Sequence, residues 1–319
     1  LSEFDLIATY FSGLGSERQD VVLGVGDDCA LLRVPEGREL AVSIDTLVAG
    51  VHFLAGCDPH ALGHKSLAVG LSDLAAMGAD PAWATLALTL PRADEGWLRS
   101  FANGFSSLAM AHGMTLVGGD ITRGPLSVSV QVHGLVPAGE GLLRCGARPG
   151  DLVCVSGTLG DAGLALRRRA QVGEVYGRLR DRLDRPTPRV ALGRALRGLA
   201  TAMIDLSDGL GADLGHILAA SGVGAAIRLA DLPLGPEVAE HVAGSADWSM
   251  PVASGDDYEL CFTLPVEAAE RIETLSAGSE CAVHVIGQVT RGSGITFLEP
   301  DGSIWVPDRA GYNHFAHQA

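Results

Sequence analysis

In both halves of this chain, apolar runs meet glycine–aspartate turns. Val21 to Val25 runs into Gly26-Asp27-Asp28, Thr115 to Val117 into Gly118-Gly119-Asp120, and Ala202 to Ile204 into Asp205-Leu206-Ser207-Asp208-Gly209. Gly255-Asp256-Asp257 leads into a further apolar run. Short apolar runs bounded by turn residues read as strands, and aspartate and glycine are turn formers. Helical stretches lie between them. The pattern predicts an α+β chain of two domains sharing one site, with no fixed short repeat. Pro137-Ala138-Gly139-Glu140-Gly141 is the strongest boundary signal. The expected domains are residues 1–138 and 139–319.

Phe4 to Phe11 is expected to be a short helix, and Leu40 to Ile44 a strand that delivers Asp45 at its end. On extended backbone Ser43 and Asp45 face the same side. Asp58-Pro59 starts a helix, with aspartate as cap and proline at the first helical position. It is expected to stop near Gly78. On it Leu62, Ser66, Val69, Asp73 and Met77 form one stripe, so Asp73 sits on an apolar face. Strands are expected over Trp83–Leu90, Leu126–Val136, Asp151–Val155 and Val283–Val289, and helices over Trp97–His112 and Leu210–Ala220.

Asp28, Asp45, Asp73, Asp120, Asp205 and Asp208 interrupt apolar segments or end them. Carboxylates gathered in a folded protein need positive charge beside them. The chain has a single lysine, Lys65, and a net charge of −15. Hard cations such as magnesium fill that need and bring phosphate with them. The acidic balance argues against a nucleic-acid or anionic-membrane binder. Six cysteines without a Cys-x-x-Cys pair argue against zinc and for reduced thiols in a cytoplasmic setting. The acidic N-terminus is unlike a signal peptide, and no apolar stretch is long enough to span a bilayer.

Each residue also has a plainer reading. Any one Asp-Gly pair makes a turn, and Asp27 is read as a turn or capping residue. Asp73 is a metal ligand or the partner of Lys65 or an arginine. Ser207 and Asp208 cap the following helix or receive phosphate there, two compatible roles. His52 is structural or functional. The ten arginines between Arg167 and Arg197 read as the solvated face of helices. Arg144, at the domain boundary, is the better nucleotide ligand. Trp305, Tyr312 and Phe315 read as core. Lys65 follows His64, so no P-loop is present, and no glycine-rich dinucleotide fingerprint lies in a strand–helix context.

Taken together, these segments resemble the thiamine-monophosphate kinase family nearly end to end. The resemblance is carried by Phe4-Asp5-Leu6-Ile7, Gly24 to Leu32, Asp45 to Phe53, Leu71 to Pro81, Gly118 to Gly124, Ile204 to Leu210, Gly255 to Leu260 and Gly311-Tyr312-Asn313-His314-Phe315. It implies the aminoimidazole ribonucleotide synthetase-like fold: two α/β domains, the first dimerising through its strands into a homodimer. It implies transfer of the γ-phosphoryl of ATP to thiamine monophosphate, with several magnesium ions. The implied metal ligands are Asp28, Ser43, Ile44, Asp45, Asp73, Asp120, Asp205 and Asp208, Ile44 through its carbonyl. The implied ATP contacts are Gly119, Asp120, Arg144 and Ser207, and the implied substrate contacts are His52, Asp256 and Tyr312. Asp256 stands where some members carry glutamate. The alternatives are a sister enzyme (a purine-synthesis ligase or a selenide kinase, whose N-terminal reactive Cys and Lys are missing here) and a non-catalytic magnesium-nucleotide binder.

Overall fold

The computed structural model describes residues 2–169, 174–279 and 281–312. By its internal contacts the chain divides into two units: Leu1–Leu74 with Ala79–Gly139, and Ala75–Gly78 with Glu140–Ala319.

The first unit opens with a helical turn α1 (Glu3–Leu6) that continues as a π-turn over Ile7–Phe11. The strands β1 (Val21–Leu23) and β2 (Leu31–Leu32) form a small antiparallel pair. Then follow β3 (Arg38–Val48), α2 (Pro59–Ala76), β4 (Asp80–Leu90), α3 (Glu95–Ala111), β5 (Thr115–Arg123) and β6 (Ser127–Pro137). The main sheet has the order β3-β6-β4-β5, parallel only between β4 and β5. Along β6 the expected alternation holds: Val128, Val130 and Val132 are buried, and Ser127, Ser129 and Gln131 are half-buried. Helix α2 begins at the expected cap, where Asp58 Oδ1 accepts the His60 amide at 3.1 Å. It lies close to β6, since a side chain at Gly70 would meet Val132 at 2.9 Å. The two helices touch through glycines. A Cβ on Gly104 would lie 1.9 Å from the His60 carbonyl, and one on Gly63 would lie 2.1 Å from that of Phe101.

Two strands run past the aspartates expected at their ends. β3 continues through Asp45 to Val48, and β5 continues through Gly119 and Asp120 to Arg123. Both aspartates are therefore mid-strand rather than beyond a strand end. Cross-strand pairing overrides the local turn preference: Asp45 is registered with Val130, and Asp120 with Ala87.

The second unit contains β7 (Leu152–Ser156), α4 (Asp161–Arg167), α5 (Glu174–Asp184), α6 (Val190–Ala195), β8 (Ala202–Asp205), α7 (Leu210–Ser221), β9 (Gly224–Arg228) and α8 (Pro236–Ser245). It closes with α9 (Ser249–Ala253), β10 (Leu260–Leu264), α10 (Ile272–Ser279), β11 (Val283–Thr290), β12 (Gly294–Leu298) and β13 (Ile304–Trp305). Its sheet has the order β13-β12-β9-β11-β7-β10-β8, parallel only between β12 and β9. Leu210, Leu214 and Ile217 of α7 pack with Val153, Val155, Ile204, Ile227 and Phe297 into its largest core. Trp305 packs edge-on against Phe297 and joins that core, as expected. Phe315 and residues 313–319 lie outside the described residues.

Candidate functional site

In the first unit the acids gather on regular elements. Ser43 and Asp45 lie on the same side of β3, as extended backbone requires, and Asp73 reaches them from the apolar stripe of α2. The Ser43 hydroxyl donates to Asp73 Oδ2. Burial, and then the neighbouring Asp73 carboxylate, push the Asp45 carboxyl up to about 7. Asp45 Oδ2 is buried without a hydrogen-bond partner. An orphaned carboxylate oxygen beside a second carboxylate suits a cation. Ile44, 64% exposed, points its side chain away from this pair, so only its carbonyl is available as a ligand.

Asp28 and Asp120 line a second feature of the same unit. It is a cavity of about 600 Å³, walled by Phe4, Ile7 and Phe11 and floored by the Gly118-Gly119 stretch of β5. Gly119 has φ +153°, and a Cβ there would stand 1.9 Å from the Leu86 carbonyl, so the strand can run there only with glycine. Asp27 lines the cavity too, and its Oδ1 accepts the Asp28 amide at 2.8 Å, as expected of a turn residue. His52 Nδ1 accepts the Val48 amide at 3.0 Å, which places the proton of the neutral ring on Nε2. Among the described residues no three His, Cys, Asp or Glu side chains close into one metal cage.

In the second unit Asp208 and Asp256 sit on loops tied together by backbone. Asp205 ends β8, 5% exposed. Beyond it the Leu206 amide donates to the Glu259 carbonyl at 2.8 Å, the Asp256 amide to the Ser207 carbonyl at 2.9 Å, and the Tyr258 amide to the Leu206 carbonyl at 2.8 Å. The Tyr312 amide donates to the Asp208 carbonyl at 3.0 Å. Ser207, Asp208, Asp256 and Tyr312 are thus brought together, and half-exposed Tyr312 is not the core residue its type suggested. Asp213 holds the Ser207–Gly209 turn: its Oδ2 accepts the amides of Asp208 and Gly209, each at 3.0 Å. Burial pushes the Asp213 carboxyl up to about 7 against the pull of those amides. Arg144 is exposed, and its carbonyl accepts the Ser221 hydroxyl at 3.5 Å, while the preceding Leu143 carbonyl accepts the Met203 amide, at the far ends of α7 and β8 from Ser207. The structure does not bring that backbone to Ser207.

The arginine-rich stretch is exposed at most of its arginine positions, as expected, and departs from a solvated face at Arg182 and Arg189. Arg189 donates to both oxygens of Glu259, at 2.7 and 2.6 Å, and Arg182 to Oε1 at 2.7 Å. Glu259 is fully buried and also accepts from the Ser156 hydroxyl at 2.6 Å. The pairing spans about seventy residues of chain, and nothing in local sequence marks which of ten arginines turns inward. Asp213 had a readable signal, since it is an acid among Leu210, Leu214 and Ile217, the same anomaly that singled out Asp73. The cavity walls had none, because Phe4, Ile7 and Phe11 read simply as a helix stripe.

Residues 26–136 match the N-terminal domain, and residues 148–298 the C-terminal domain, of AIR synthase related proteins. Two such domains in this order define the class. The chain is 51% identical to the thiamine-monophosphate kinase of Escherichia coli (strain K12) over 320 residues, 98% of each chain. It superposes on the crystal structure of the thiamine-monophosphate kinase from Stenotrophomonas maltophilia K279a with a TM-score of 0.85, at 45% identity over 91% of this chain and 93% of that one. AaThiL complexed with AMPPCP and TMP gives 0.78, at 32% identity over 89% of both chains. The chain belongs to the thiamine-monophosphate kinase family.

Proposed function

We infer that this chain is an ATP-dependent kinase that phosphorylates thiamine monophosphate to thiamine diphosphate. The observation that carries the reading is full-length likeness to kinases of that name, one of them a relative complexed with AMPPCP, an ATP analogue, and TMP. The acceptor is itself a phosphate. A monoester has a second pKa of ~6, so its oxygens are already nucleophilic at neutral pH and no strong base is needed. The difficulty is the approach of two anions, which repel by about 4 kcal/mol per pair of unit charges at ~4 Å and intermediate dielectric.

We assign Asp28, Ser43, the Ile44 carbonyl, Asp45, Asp73, Asp120, Asp205 and Asp208 to magnesium. The unpartnered Asp45 oxygen supports this most directly. Bound there, magnesium supplies the positive charge that offsets the repulsion and holds the transferred group in line. Gly119, Asp120, Arg144 and Ser207 are assigned to ATP. The cavity has the size of a small-ligand site, with apolar walls for a base and glycine backbone for phosphates. His52, through Nε2–H, is assigned to the acceptor phosphate, and Asp256 and Tyr312 to the cationic ring system. The domain roles follow: metal residues predominate in the first, and the ATP and substrate residues are drawn from both. A homodimer is proposed through edge strand β3, whose outward row Leu40, Val42 and Ile44 is 44, 52 and 64% exposed. No helix among the described residues is long and apolar enough to cross a membrane. All six cysteines are free, which supports placement in the cytoplasm.

The decisive assay is ADP release from ATP with magnesium, with and without thiamine monophosphate. Release that depends on thiamine monophosphate, with no labelled phosphoenzyme on rapid quench, is expected. Release indifferent to it overturns the reading.

A further inference from the structure

The turn from Gly255 to Tyr258 is built against backbone preference. Gly255, Asp256 and Tyr258 have φ of +70°, +62° and +50°. Glycine is required at the first, where a Cβ would lie 2.6 Å from the Ser207 carbonyl. At the other two, side chains occupy a region they rarely adopt, and such residues persist only where their surroundings hold them. Here the hold is extensive. The Asp256 and Tyr258 amides bond the 206–207 backbone. Both oxygens of the buried Asp257 carboxylate accept the Gly160 amide, at 3.0 and 2.9 Å. Arg182 reaches the Asp257 carbonyl at 3.4 Å.

This conformation brings the two side chains into a direct hydrogen bond. The ring of Tyr258 is buried, 8% exposed, and its hydroxyl donates to Asp256 Oδ1 at 3.0 Å. Asp256 is half-buried, with its chain neighbours Gly255 and Asp257 both buried. A short carboxylate on a turn has two freely rotating torsions, and a phenol anchored in the core removes that freedom.

We propose that Tyr258 is a positioning residue for thiamine-monophosphate recognition, fixing the Asp256 carboxylate in the orientation that receives the cationic end of the substrate. This rests on the assignment of Asp256 to the substrate made above.

The test is a double-mutant cycle of Tyr258→Phe and Asp256→Ala, read as KM for thiamine monophosphate, KM for ATP and kcat. Tyr258→Phe keeps the buried ring and removes only the hydroxyl. Asp256→Ala is expected to raise KM for thiamine monophosphate about tenfold or more. Tyr258→Phe alone is expected to raise it about three- to tenfold, with KM for ATP and kcat nearly unchanged. In the Asp256→Ala background, Tyr258→Phe is expected to add nothing. If Asp256→Ala leaves KM unchanged, the substrate assignment of Asp256 fails, and this proposal with it. If Asp256→Ala raises KM but Tyr258→Phe does not, the assignment stands and the positioning role is overturned. An equal effect of Tyr258→Phe in both backgrounds, or a fall in kcat with all KM values unchanged, also overturns it, because the hydroxyl then acts other than through Asp256.

Discussion

The acids of the first unit and those of the second meet their electrostatic needs in opposite ways. Asp45 and Asp73 stand on a strand and a helix, side by side, with a serine hydroxyl bonded to Asp73 and the buried Asp45 Oδ2 unanswered. In the second unit Asp213 is answered by two amides, Asp257 by another, and Glu259 by two arginines and a serine. The interiors of strands and helices commit their amides to the ladder, so Asp45 and Asp73 find no backbone donors there, whereas Asp213, in the first turn of α7, takes the free amides of the loop before it. Loops have amides to spare. The first set is therefore incomplete without added positive charge, whereas the second is complete and acts by holding backbone in place.

If that contrast is right, Asp73→Asn removes function and spares the fold. Activity is expected to fall about 10³-fold, roughly 4 kcal/mol of transition-state stabilisation. Because the substitution relieves like-charge repulsion, the metal-free protein is expected to melt no lower than wild type. ADP release and thermal denaturation check the two halves of the statement. Near-normal turnover, or a large drop in melting temperature, breaks the comparison.

The converse applies to Glu259 and its arginines. Removing one partner of a buried ion pair leaves an uncompensated charge and costs about 3–5 kcal/mol. Arg189→Ala is expected to lower unfolding free energy by about 3 kcal/mol, the low end because Arg182 remains on the same carboxylate. Urea denaturation measures it. In folded Arg189→Ala protein the KM for ATP is expected to stay within about twofold, since the network is structural. A stable variant with lost nucleotide affinity would make this cluster part of the reaction site.

These two residues also mark how far the sequence could be read. Asp73 was visible because α2 has a period and a start signal, and a charge on its apolar stripe stands out against that period. Asp45 was placed correctly beside Ser43 but at the wrong point of its strand, because an eleven-residue strand is specified by pairing with β6 and not by its own residues. Asp120 was displaced for the same reason. Asp213 obeyed the rule that revealed Asp73, but the neighbouring Asp-Leu-Ser-Asp-Gly turn drew the eye first. Arg182 and Arg189 could not be separated from their eight fellows, because the residue that selects them is Glu259, far along the chain on the approach to β10. Positive φ at Asp256 and Tyr258 was equally hidden, being imposed by the 206–207 backbone.

The smallest effect separates the two kinds of carboxylate by pH. Asp45 and Asp213 both have their carboxyls pushed up to about 7 by burial, against about 4 in an unfolded chain. Between those values the folded protein binds more protons than the unfolded one. Stability of the metal-free protein therefore falls as pH rises from about 4 through about 7, since the slope follows the unfolded-minus-folded proton count. Three pH units correspond to about 4 kcal/mol per group at most, and solvent access around Asp45 brings its share to about 2 kcal/mol. The two differ in what removes the penalty. Magnesium answers the charge at Asp45 directly, whereas Asp213 is not among the assigned ligands and gives its oxygen to backbone amides, so added magnesium is expected to flatten about a third of the pH slope. Asp45→Asn should do the same without metal, after which magnesium should have little left to flatten. Urea midpoints from pH 4.5 to 8, with and without 5–10 mM magnesium (about the range that saturates such sites), measure this. A magnesium effect of equal size in Asp45→Asn would mean that the unanswered oxygen on β3 is not where the cation acts.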